Sequence, residues 1–204
     1  MDGALPAAGP IVAPTKLHVP GGGALVPRDA GLAQRLAATT GLALVTAPTA
    51  VVAGWMAQER RPLAWLSLDP EDADPVRLWR CLIAALRRLQ PGLGRDAEAI
   101  LAAGPAAVGD VVVPLVAAEV AAWDEPVALV LDGAEAWGER SAEVVPSLGR
   151  WLDVAPEGSL LLVAAAEPAA LAALSEGLGA AIEPAPARSV VGSSRARTPG
   201  TPDA

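Results

Sequence analysis

The sequence predicts an α/β protein, a three-layer sandwich around a mostly parallel sheet, and three observations lead there. Several short runs are apolar throughout rather than alternating, as strands buried on both faces are. Segments with helical spacing separate those runs, so consecutive strands are joined by crossovers and lie parallel. The chain has 204 residues, 52% of them hydrophobic, with a mean hydropathy of +0.39, enough for one domain with a substantial core.

The elements follow in order. Residues 42–46, after Gly41, form an apolar run read as a buried strand, and residues 51–60 a short helix. Residues 63–68 read as the next strand, ended by the acidic turn "DPEDADP". Residues 74–90 carry the clearest helical pattern. Asp74 is suited to the N-cap with Pro75 at the first helical position, where its missing N–H costs nothing. Val76, Trp79, Leu82, Ile83, Leu86 and Leu89 recur at three- and four-residue steps and give one apolar face, which Pro91-Gly92 ends. Cys81 lies beside that face and reads as packing, and Arg87-Arg88 as the solvated side. A helical region over 96–123 precedes an apolar strand at 126–132 that closes on Asp132. Helix at 141–153, strand at 159–165 and helix at 169–178 complete the pattern.

Residues 1–14 read as a flexible N-terminal segment, 15–183 as one domain and 184–204 as a disordered tail rich in Pro, Gly, Ala and Ser. Residues 36–58 carry no charge and are long enough to span a bilayer. Their four threonines, two glycines and central proline fit a buried strand, turn and helix better, so no membrane association is expected.

Composition narrows the function classes. Fifteen basic against 23 acidic residues give a formal net charge of −8, and no basic stripe is visible, so direct nucleic-acid binding is not expected. One cysteine, Cys81, excludes an internal disulfide and suits a reducing compartment. With no signal-peptide pattern after Met1-Asp2, a cytoplasmic location is expected. One histidine, His18, cannot build a Ser-His-Asp or Cys-His set with its other members here, and no Cys, His and carboxylate cluster suggests a metal.

Ligands of an open parallel sheet bind at the carboxyl ends of its strands. Three such ends stand out: Thr46 leading to Ala47-Pro48-Thr49, Asp132 after "VALVL", and "AAAE" after "SLLLV". An apolar strand ending in an acid has the form of a Walker B segment, whose acid helps to hold Mg²⁺. A helix-capping role for Asp132 is an equal alternative.

Read together, "TKLHVPGGGALVPRDAGLAQRL" (15–36), "RRPLAWLSLDPEDADPVRLWRCLIAALRRLQPGLG" (61–94) and "PVALVLDGAE" (126–135) give a specific resemblance. In this order and spacing they resemble the N-terminal ATPase (P-loop NTPase) domain of the large LuxR-type, maltose-regulator-like ATP-binding transcriptional regulators, a branch of the signal-transduction ATPases. The similarity covers roughly residues 11–183. In that family helical sensor repeats and a DNA-binding helix-turn-helix follow; no candidate for either follows residue 183 here.

The departures from the family pattern coincide with its chemistry. Its phosphate loop, G-x-G-K-T, cradles phosphates on backbone N–H groups, neutralises them with lysine and reaches Mg²⁺ through a hydroxyl. Here the turn is Ala47-Pro48-Thr49-Ala50-Val51-Val52, several residues shorter, and no lysine follows Lys16 anywhere. Gly133 stands where the family has a second acid, and Ala164 and Ala165 where it has a Ser-Arg pair. Each lost charge-assisted contact forfeits about 1.5–3 kcal/mol. The resemblance therefore implies a relict nucleotide site at Val26, Arg28, Thr49 and Asp132, with no catalytic residue, metal or cofactor. Arg28 as an ordinary surface residue is an equal reading. The expectation is a non-hydrolysing regulatory or protein-interaction module, partnered by a full-length homologous regulator or by itself. The alternatives are an ATP-binding module with an unorthodox loop, with ATP and Mg²⁺ as its cofactors, and a remnant without activity.

Overall fold

The computed structural model describes residues 12–21, 36, 38–102 and 104–184. Five parallel strands form one sheet: β1 (Gly41–Thr46), β2 (Leu63–Ser67), β3 (Ala128–Asp132), β4 (Leu160–Ala165) and β5 (Ile182–Pro184). Their order is β2-β3-β4-β1-β5. The helices are α1 (Thr49–Met56), α2 (Pro75–Leu86), α3 (Arg95–Leu101), α4 (Val113–Ala121), α5 (Ser141–Val154) and α6 (Ala172–Leu178). The fold is the expected α/β sandwich.

Chain direction explains the layers. The β1-to-β2 connection runs past β4 and β3 toward one edge, and every later connection returns the other way. Right-handed crossovers then put α1 on one face and the later helices on the other. The core divides accordingly. On one face Val45, Trp65, Val130 and Leu162 pack with Val52 and Trp55 of α1. On the other, Leu44, Leu66, Leu131 and Val163 meet α2, α4, α5 and α6. Trp79 of α2 and Trp151 of α5 stack at 5.9 Å between ring centroids, tilted by 47°.

Within α2 the cap reads as expected: the Asp74 carboxylate accepts from Arg77 N–H at 2.8 Å, with Pro75 at the first position. The helix closes at Leu86, four residues before the expected end. α1 starts two residues earlier than expected, at Thr49, and ends at Met56. The helical region expected over 96–123 divides into α3, a π-turn at Val108–Val112 and α4, with a break around Gly104 and Pro105. β5, a 3-10 turn at Pro70–Ala73 and another at Pro14–Leu17 escaped the sequence pattern because each is too short to show a period. Residues 36–58 form strand and helix, and no helix among the described residues is long and apolar enough to cross a membrane.

Arg87 is not simply solvated. It pairs with Glu98 at 2.8 Å and donates to the Leu93 carbonyl at 2.6 Å, bracing the turn between α2 and α3. In that turn Gly94 has φ +71°, and a Cβ there would lie 2.6 Å from Cγ2 of Ile83. Left-handed strain and overpacking therefore add up. Gly94→Ala is expected to lower unfolding stability by about 2–4 kcal/mol, read as a shifted urea midpoint with an unchanged slope.

Candidate functional site

The loops after β1 and β4 leave the sheet toward opposite faces, so the crevice between their carboxyl ends is the topological switch point. Three turns build it. After β1 the chain makes one tight step: Ala47 N–H donates to the Ala165 carbonyl at 2.8 Å, Pro48 caps α1, and Thr49 is already helical. After β3, Gly133 takes φ +87° and donates to the Ala164 carbonyl at 3.0 Å. After β4, Ala166 N–H donates to Glu135 Oε2 at 3.2 Å.

Thr49 and Asp132, both expected at a relict nucleotide site, do meet here. The Thr49 hydroxyl lies near enough to the Asp132 carboxyl to favour its charged form. Val26 and Arg28 lie outside the described residues. Asp132 is 4% exposed and ends β3 in register between Ser67 and Ala164. It does not cap the following 3-10 turn (Ala134–Arg140), which has no side-chain cap. Burial pushes the Asp132 carboxyl above its ordinary range, the nearby Thr49 hydroxyl pulls it back, and the charge of Glu135 pushes it up again.

The electrostatics are one-sided. The charged side chains carried by these three turns are Asp132, Glu135 and Glu167, all acidic. Val51 and Val52 N–H both turn back to the Pro48 carbonyl, at 2.8 and 3.2 Å, and proline has no N–H to offer. A phosphate at the start of α1 would meet few free donors and the buried Asp132 carboxylate nearby. Ala164 and Ala165 are buried in β4 and carry no group that could touch a ligand. Gly133 cannot readily regain an acid, since its left-handed backbone disfavours any side chain.

A second cluster, at the β2 end of the sheet, was missed by sequence reasoning. Asp72, read only as part of the acidic turn after β2, is fully buried. Its carboxylate accepts from Lys16 Nζ, from Arg77 Nε at 3.2 Å, from Asp69 N–H at 2.8 Å and from the Cys81 thiol at 3.6 Å. Lys16 also reaches Asp69 at 2.6 Å. Burial alone would lower the Lys16 ammonium, but its bonds to Asp69 and Asp72 outweigh burial and raise it. Burial and the neighbouring Asp72 push the Cys81 thiol up to about 11. The one available signal was that the chain's single lysine and a proline-flanked acidic run both needed partners. Every group here is satisfied within the cluster, so it reads as structural.

Two outcomes follow. The fold favours protonated Asp132, a contribution present below the ordinary carboxylate value and lost as pH rises through the raised one. Asp132→Asn should therefore raise the denaturant midpoint at pH 7, and the gain should vanish below about pH 4. Cys81 should resist alkylation at pH 8 until the chain is unfolded. Its stabilising contribution should fade between about pH 9 and 11 as the unfolded thiol ionises first, a loss absent in Cys81→Ala.

No family model matches the chain, and no curated protein matches it.

Proposed function

We propose that this chain is a nucleotide-blind relative of the ATPase domain of LuxR-type regulators, acting through protein contact as a regulatory module. The observation that carries the reading is a crevice whose three turns carry only acidic side chains around the buried Asp132 carboxyl. The strand order supports the ancestry. With β4 between β1 and β3, the turn that would hold phosphates and the acid that would serve Mg²⁺ open onto one crevice. The missing lysine, the two-residue step from β1 to α1 and the alanines at the end of β4 leave these turns with no positive charge to stabilise a transferring phosphoryl group. An acidic chain of net charge −8 also suits protein partners, a full-length homologous regulator or a second copy, better than DNA.

Calorimetric titration of the purified chain with ATP and ADP, each with Mg²⁺, tests this. No heat up to about 1 mM nucleotide is the expected result. Binding tighter than about 100 μM, weakened tenfold or more in Asp132→Ala, would favour an ATP-binding module built on backbone donors instead.

A further inference from the structure

The outer edge of β2 has an uncommon guard. In the ladder with β3, the Pro62 carbonyl accepts from Ala128 N–H and Leu68 N–H donates to the Asp132 carbonyl, both at 2.9 Å. Strand alternation then turns Ala64 and Leu66 toward β3, and the N–H and C=O groups of residues 63, 65 and 67 outward. Such an edge is a template for a further strand, and proteins usually blunt it with charge, proline or a bulge. The strand "LAWLS" has none of these.

What stands beside it is the 3-10 turn Pro14–Leu17, packed alongside β2. Its fastenings are few. Val12 and Leu17 rest on the core, Lys16 binds Asp69 and Asp72, and the exposed His18 accepts from Arg88 at 2.9 Å through Nε2 while donating from Nδ1 to the Pro14 carbonyl at 2.7 Å. A cavity of about 100 Å³ remains between this turn and α2, lined by Val12, Lys16, Arg77 and Cys81 among others. It is seated but not closely packed, and its deepest polar contact is the lysine.

We propose that Pro14–Leu17 is a strap, latched by Lys16, that keeps β2 from pairing with the same edge of a second copy of this chain. The edge suits its own copy. Two-fold association pairs identical strands antiparallel, and centring the axis on Trp65 sets Leu63 of one copy opposite Ser67 of the other. The outward groups of residues 63, 65 and 67 then satisfy one another, and no charge opposes the approach. This goes beyond the nucleotide-blind reading and does not rest on it.

Light scattering after gel filtration tests the latch with the full chain. At about 100 μM the wild type should run as a monomer and Lys16→Met as a dimer. Leu63→Pro removes an outward N–H without touching the β3 ladder, so adding it to Lys16→Met should restore the monomer. A natively folded Lys16→Met that stays monomeric, a wild-type dimer, or a variant dimer indifferent to Leu63→Pro would each overturn the proposal. Should Lys16→Met lose its far-UV circular dichroism, Arg88→Ala loosens the exposed fastening instead and is read by the same two criteria.

Discussion

Buried strands must place every backbone N–H and C=O on a neighbour, and this requirement organises the whole molecule. β3, β4 and β1 meet it on both sides and form the interior of the sheet, with β3 and β4 buried along their whole length. Parallel pairing then demands long crossovers, crossovers have one hand, and that hand distributes the helices between the two faces. The position of the crevice is a consequence. Once β1 sends its helix to one face and β4 sends its connection to the other, their carboxyl ends must part.

The same requirement creates two edges and sets how they differ. β5 is three residues long and offers little to pair with. β2 is longer and uncharged, and the segment beside it comes from a part of the chain that precedes β1 altogether. That segment is attached by charge as well as by packing. The Lys16 ammonium reaches into a site where a carboxylate has been removed from water, and such a carboxylate is tolerable only when cations and N–H groups surround it.

Charge is handled in two ways in this fold. Around Asp72 two cations and an N–H converge on one carboxylate. At the amino end of the sheet Arg61 joins Glu59 at 2.7 Å and donates to the carbonyls of Thr39 and Gly158 at 2.8 and 3.0 Å, so that its hydrogen bonds hold Glu59 below the usual carboxylate range although burial opposes this. Both clusters tie distant parts of the chain together. At Asp132, burial and the charge of Glu135 both oppose ionisation, and the nearby Thr49 hydroxyl favours it. The charges of both clusters are matched by cations, whereas among the described residues none pairs with the Asp132 carboxyl.

The fold class was legible because its signals are local and repeated: apolar runs for buried strands, the Asp74-Pro75 start of α2, its regular apolar face, and Asp132 closing β3. The absence of a phosphate loop was equally legible, since a lysine that is nowhere downstream cannot be supplied by folding. Other features had no local signature. Asp72 sits in a run of acids, and its burial depends on partners that include Lys16, which arrives from 56 residues away. The guarding of β2 is similar, because an edge strand is defined by which strands fail to reach it. The sequence by itself determined most of the elements and the absence of a Gly-Lys-Thr step after the first strand, through periodicity and residue type. Only the tertiary structure decided strand order, the approach of Thr49 to Asp132 and the partners of each buried charge, because these depend on contacts between residues far apart in the chain.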